Sequence, residues 1–323
     1  MPLANVILLH HAKFDVKGIS MKRLSLAIAS LILAGCATTA SSPNTTQKTR
    51  KPPKDLTKTS APIQQKTTVS VKDTLDDKKV CLVILNTTTG KVEHSINPRN
   101  CQDQLPATST FKVALAVMGF ESNLINDQDS TKKWNGQQYR VKAWNQDQNA
   151  QSWMTNSTIW YSQQLAWQLG EEKINRYLKV FGYGNQDFSG GLDTAWLTPA
   201  PYLKQHYGFS LTISGMQQAE FFKKLQLNKL AVSTEAQQFA KRLIYLQTTP
   251  NGFSFSGKTG SGFTDASYKR RIGWFAGTIS KADQQYVVVS NYVDTVDRPV
   301  VGDFGAQFAK DLAIAELKRY QLW

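Results

Sequence analysis

Histidine is almost missing from this chain, and its scarcity excludes more chemistry than any other feature. The four present are His10, His11, His94 and His206, and the first two precede a segment read below as an export signal. His94 follows Lys91-Val92-Glu93 and His206 adjoins Lys204-Gln205. Neither has nucleophile or metal-ligand spacing, so a Ser-His-Asp triad has few candidates. With three cysteines and no such histidine spacing, no structural zinc is expected and no metal is needed. After residue 36 no apolar run is long enough to cross a membrane. Basic clusters interleaved with aromatics are also lacking. Lys269-Arg270-Arg271 is the sole run of that kind and reads as a solvated loop edge, so no nucleic-acid partner is expected. The net charge of +14 is unevenly spread, since residues 1–36 carry +3 and residues 37–75 carry +5, leaving +6 for the body. No internal repeat is visible.

What is present is an ordered set of short motifs. Ser109-Thr110-Phe111-Lys112 places a hydroxyl and an amine three residues apart at a predicted helix start, with Pro106 before the run and Phe111, Leu115 and Met118 at helical spacing. Positions i and i+3 share a helix face, so the Lys112 amine can reach the Ser109 oxygen and act as its base. Alone, S-x-x-K is a chance pattern. Here Ser157-Thr158-Ile159 follows, and then Lys258-Thr259-Gly260 after the strand-like Phe253-Ser254-Phe255; chance matches rarely line up in this order.

The set resembles the serine penicillin-recognising proteins. In penicillin-binding proteins and class A β-lactamases the middle motif ends in Asn, whereas Ile159 supplies a branched hydrocarbon, and this resembles class D. Tyr183-Gly184-Asn185, Trp196-Leu197 and Gly273-Trp274-Phe275-Ala276-Gly277 stand where class D places its loop motif, its lysine-contacting pair and a core strand, and the match runs from about Val80 to the C-terminus. The resemblance implies that Ser109 attacks a β-lactam carbonyl, with the oxyanion held by backbone N–H groups of Ser109 and Ser261. It implies that Lys112 is the base, in an environment set by Ile159, Trp196 and Leu197, and that it is used as the carbamate formed with carbon dioxide or bicarbonate (an N6-carboxylysine); no other cofactor is implied. Ser157 would pass a proton to the lactam nitrogen with Lys258 beside it. Thr259 and Gly260 would line the substrate strand, and Thr259 would join an arginine in binding the substrate carboxylate. Arg298 is the candidate, although Arg270 or Arg271 could serve and a surface role for Arg298 is equally open. The alternative function is a β-lactam sensor or penicillin-binding protein that acylates without efficient turnover.

The N-terminus reads as four pieces. Residues 1–20 are an upstream extension. Residues 21–36 form a signal peptide, with Met21-Lys22-Arg23 as its charged start, an apolar core from Leu24 to Ala34, and Leu33-Ala34-Gly35-Cys36 resembling a bacterial lipobox. An ordinary secretory peptide is the alternative. Residues 37–75 are a Thr-, Ser-, Lys- and Pro-rich tether that cannot repay ordering, and 76–323 are the catalytic domain. Lipidation of Cys36 implies an exported protein held at the periplasmic face of the outer membrane by lipid alone, with a small-molecule β-lactam as its partner. Cys81 and Cys101 are then an even pair, either a disulfide or unrelated thiols. Within the domain, Val80–Leu85 and Lys91–His94 read as a hairpin and residues 109 to about 225 as mostly helical, including Met154–Trp167 and Glu171–Val180. Ile272–Ile279 and Tyr286–Val293 read as strands, and Phe304, Phe308, Leu312 and Ala315 mark a last amphipathic helix. Strands, then helices, then strands and a helix predict an α/β protein of the α+β type: a mainly antiparallel sheet built from both chain ends, flanked by helices, with an all-helical subdomain between.

Overall fold

Strand β1 (Lys78–Asn86) shows why the sheet is buried on both sides. In the computed structural model, which describes residues 75–199, 209–298 and 305–323, its side chains alternate between two apolar layers. Cys81, Val83 and Leu85 enter one and Val80, Leu82 and Ile84 the other. A run apolar at every position is what a strand covered on both faces requires. The sheet has six antiparallel strands in the order β2-β1-β8-β7-β6-β5, with β2 Val92–Ile96, β5 Tyr245–Thr248, β6 Ser254–Phe263, β7 Arg271–Lys281 and β8 Gln284–Asp294. β1 pairs with β8 from Lys78 opposite Asp294 to Asn86 opposite Tyr286, so strands far apart in sequence lie side by side in the sheet. The expected strands are present, each a residue or more longer than the apolar pattern marked. The Cys36 signal segment, residues 1–20, nearly all of the 37–75 tether and His206 lie outside the described residues.

One face carries α7 (Ala306–Arg319), which buries Ala309, Leu312, Ala313 and Leu317 against Phe255, Phe275, Val288 and Tyr292. The expected face was Phe304-Phe308-Leu312-Ala315. Phe304 lies outside the described residues; Phe308 and Ala315 are only half-buried, because the small residues Ala309 and Ala313 let the helix lie closer to the sheet and the contact line follows them. The other face meets the helices between β2 and β5: α1 (Phe111–Glu121), α2 (Ala150–Asn156), α3 (Ile159–Leu169), α4 (Glu171–Phe181), α5 (Gly215–Gln226) and α6 (Thr234–Leu243). α1 is buried continuously from Phe111 to Gly119, as a central helix must be. The segment Met154–Trp167, expected as one helix, is two. α2 ends at Ser157, whose φ of 57° and ψ of 36° lie in the left-handed region, and α3 restarts at Ile159. Helix α6, with Ala236, Phe239, Ala240 and Leu243 buried at helical spacing, lies where only returning strand was expected. A disulfide joins Cys81 to Cys101, Cα–Cα 5.0 Å, tying β1 to the turn that leads into the site.

Candidate active site

The turn carrying Ser109 is held from four directions before any chemistry is considered. A short 3-10 turn, Thr108–Thr110, runs into α1. Two strands of a small second sheet, β3 (Leu105–Pro106) and β4 (Thr212–Ile213), pair immediately before it. From β7, Trp274 Nε1 donates to Pro106 O at 3.1 Å. From the loop after α4, Trp196 O accepts from Thr108 N at 2.9 Å. From α5, the fully buried Gln218 donates through Nε2 to Thr110 Oγ1 at 2.6 Å. Finally, strand β6 lies close because Gly260 has no side chain; a Cβ there would run into Thr108 and Thr110. Thr108 itself has φ 48°, a left-handed conformation that a β-branched residue adopts at a cost of about 1–3 kcal/mol. That strain sits next to Ser109.

Within this frame Lys112 Nζ lies 3.2 Å from Ser109 Oγ. Lys112 is wholly buried, and burial first, then the nearby Lys258 ammonium, hold its amine well below the usual lysine range. The physical reason is direct. A charged ammonium loses its hydration inside a helix apolar on every side, so the neutral, proton-accepting form is favoured. Ile159, Trp196 and Leu197 belong to the same apolar cluster as the α1 residues around Lys112. The Trp196 indole is packed between Phe111 and Phe188, with ring centroids 5.4 and 5.8 Å away. Its Nε1–H is buried with no hydrogen-bond acceptor among the described residues.

Lys258 sits on β6 on the same side as Gly260, facing the turn of Ser109. Its Nζ donates to Thr259 O at 3.1 Å. Burial, and then Lys310 of α7, lower its pKa to about 8, so it keeps a substantial cationic fraction at neutral pH. Thr259 and Ser261 point to the other side of the strand, where Ser261 Oγ accepts from Ala306 N at 3.2 Å and so anchors the start of α7. Ser157 is half-buried in the left-handed break between α2 and α3.

The three candidate arginines are each engaged by carboxylates. Arg298 pairs with Asp77 and reaches Asp294 Oδ1 at 3.4 Å. Arg271 pairs with Asp294 at 2.8 Å and Arg270 with Asp297 at 3.1 Å. All three therefore contribute to a charged cluster around the ends of β1, β7 and β8. The Tyr183-Gly184-Asn185 loop is structural in its contacts. Asn185 exchanges bonds with Thr212 through its backbone N at 2.9 Å and its side-chain oxygen at 3.1 Å, and donates to Ser210 O at 2.7 Å, extending β4 in the manner of a strand. Sequence reading did not mark Gln218, Gln148 or Lys310. Gln218 was the accessible one, lying on the buried line of α5 with Ala219 and Phe222.

Fold and site together are those of a penicillin-recognising serine protein: residues 80–312 match the penicillin binding protein transpeptidase domain. The chain is 36% identical to β-lactamase OXA-1 of Escherichia coli over 217 residues, 65% of this chain and 74% of that protein. A solved class D β-lactamase from Bacillus subtilis superposes with a TM-score of 0.65 at 29% identity, covering 79% of this chain and 97% of that one. The C-terminal domain of the Bacillus licheniformis BlaR penicillin-receptor superposes with a TM-score of 0.67 at 29% identity, covering 77% and 92%. The chain belongs to the class D serine β-lactamases.

Proposed function

We propose that the protein hydrolyses the amide bond of β-lactam antibiotics through an acyl-enzyme on Ser109, with Lys112 in N-carboxylated form as general base. The observation that carries this reading is the fully buried Lys112 amine 3.2 Å from Ser109 Oγ. In acylation the Ser109 hydroxyl gives its proton to the base as its oxygen bonds to the lactam carbonyl. Backbone N–H groups of Ser109 and Ser261 would hold the oxyanion, each such donor worth ~10²–10³ in rate. As the C–N bond breaks, Ser157 passes its proton to the nitrogen and is reprotonated from the Lys258 side. In deacylation the same base takes a proton from water, whose oxygen attacks the ester carbonyl and releases Ser109 with the ring-opened acid. The substrate carboxylate is drawn to the positive field of Lys258 and Lys310 beside Thr259, since Arg298 is already engaged by two carboxylates.

Carboxylation is supported by the unpartnered Trp196 indole. A buried N–H without an acceptor costs about 1–3 kcal/mol, and a carbamate oxygen on the neighbouring lysine would remove that cost. A neutral amine takes up carbon dioxide with loss of one proton, so burial favours the reaction. Turnover of a chromogenic cephalosporin beyond one equivalent tests hydrolysis. Protein stripped of carbon dioxide at low pH and returned to neutral pH should regain activity with bicarbonate, and a bicarbonate-independent rate would overturn carboxylation. In Trp196→Ala, acylation should persist while acyl-enzyme accumulates, with only partial bicarbonate rescue.

The similarity to the penicillin-receptor domain favours a second reading, a sensor that stays acylated. A single-equivalent burst without turnover would select it. We further propose export and lipidation at Cys36, supported by the Leu33-Ala34-Gly35-Cys36 sequence and by a disulfide suited to an oxidising compartment. Labelled palmitate incorporated into the wild type and absent from Cys36→Ala is the expected outcome.

A further inference from the structure

Gln148 lies in the loop between α1 and α2, in a polar stretch that looks like solvent-exposed sequence, yet it is fully buried. Every hydrogen-bonding group it owns is engaged. Its backbone forms an isolated two-residue bridge with Lys132, N to O at 3.1 Å one way and 2.8 Å the other. Its side-chain Nε2 donates to Ala143 O at 2.8 Å and to Gln146 O at 3.2 Å. Its Oε1 accepts from Asn156 Nδ2 at 3.3 Å and from Thr158 Oγ1 at 3.4 Å. A primary amide has two donor hydrogens and two acceptor lone pairs, and all four are used, so the side chain has a single orientation.

The two residues on which Oε1 converges are the chain neighbours of Ser157. Ser157 is the left-handed C-cap between two helices: its backbone N–H and that of Thr158 both return to Trp153 O, which closes α2 but leaves the Ser157 side chain without a partner from either helix. Such a conformation persists only when its surroundings over-determine it. The same loop reinforces the grip on one side, because Trp144 Nε1 donates to Asn156 O at 2.8 Å. On the other side Trp160 Nε1 donates back to Trp144 O at 2.9 Å. We propose that Gln148 is a positioning residue for the β-lactam ring-opening step, fixing the left-handed turn at Ser157 through Asn156 and Thr158 so that the Ser157 hydroxyl is aimed for proton delivery. This rests on the reading of Ser157 as the proton donor to the lactam nitrogen. Acylation needs that donation, whereas attack of water on the ester does not, so the two half-reactions should separate.

The test uses the full chain with Gln148→Met, which keeps side-chain volume and removes all four side-chain bonds, and Thr158→Val, which removes one donor and keeps shape. Single-turnover acylation by a penicillin, normalised to the fraction that can be acylated, should fall about 10- to 100-fold in Gln148→Met, the scale of a misplacement of about 1 Å. A smaller fall is expected in Thr158→Val. Deacylation of the isolated acyl-enzyme should stay within about twofold of wild type. A purely structural role would lower the acylable fraction or the melting temperature and leave the normalised acylation rate alone; that result overturns the proposal, as does an equal fall in both half-reactions. Should Gln148→Met not fold, Thr158→Val and Asn156→Ala carry the same measurement. Wild-type protein that is not acylated at all would instead refute the proposed function, and acylation without turnover still permits the test.

Discussion

Two buried lysines stand beside Ser109, and they differ in what buries them. Lys112 lies within a helix apolar on all sides, 0% exposed. Lys258 lies on a strand, 5% exposed, with its backbone neighbour as acceptor and a second lysine near it. The first environment offers only the Ser109 hydroxyl as acceptor and no counter-charge or solvent, so the amine is driven to the neutral form. The second offers a carbonyl and residual solvent, so its pKa falls only to about 8. One side-chain type is thus tuned toward the neutral form in one place and toward the cation in the other, divided by the secondary structure that carries each.

The largest effect that can break this comparison is removal of the Ser109 hydroxyl. Ser109→Ala should abolish covalent adduct formation with a penicillin by mass spectrometry while leaving the thermal melt of the fold in place. Next, Lys112→Met should lower kcat/KM by about 10³-fold or more, because the base is lost. Lys258→Met should lower it only about 10- to 100-fold, mostly through KM, because a positive field is lost. Equal losses with equal KM changes would dissolve the distinction. The pH profile of kcat/KM separates the pair further. The Lys112 carbamate forms only from the neutral amine and is lost when that amine is protonated, so activity falls toward acid; Lys258 works as a cation, so activity falls as pH rises through about 8. In Lys258→Met the acid limb should stay and the alkaline limb vanish. The smallest effect is Lys310→Gln. Since Lys310 helps lower the Lys258 pKa, its removal should move the alkaline limb slightly upward and leave the acid limb where it is.

The parts of this arrangement visible in the sequence were those written in local pattern. Continuous apolar runs gave β1, β7 and β8, because a strand buried on both faces needs no partner information to be recognised. Ser109, Lys112 and Lys258 were legible through fixed spacing and chain order. The break at Ser157 was not, because nothing in Asn156-Ser157-Thr158 demands a left-handed residue. It is closed by bonds to Trp153 O, and its flanks are fixed by Gln148 and Trp144, contacts that only the fold creates. Arg298 stands in the sequence as a candidate for the substrate carboxylate or for the surface; its pairing with Asp294 is only four positions away, but that with Asp77, more than two hundred positions away, leaves no periodicity to read. Helix α6 was missed for the opposite reason: Ser233 caps it through Ala236 N, and that start signal was present but not weighed.

The pairing of β1 with β8 also fixes an order of events in time. As the chain is made from its N-terminus, β1 has only β2 beside it, an isolated hairpin that is marginal in water. Its other edge stays unpaired until the segment ending at Asp294 exists. The helices of the middle region meet the same delay, because β8 and β7 supply part of the surface on which they pack. A ribosome-bound or truncated chain ending before Gln284 therefore lacks the centre of its own sheet, and the long loop that must close to supply it makes acquisition of native structure late and slow. Protease resistance should appear as one step near the end of synthesis, not as a gradual rise.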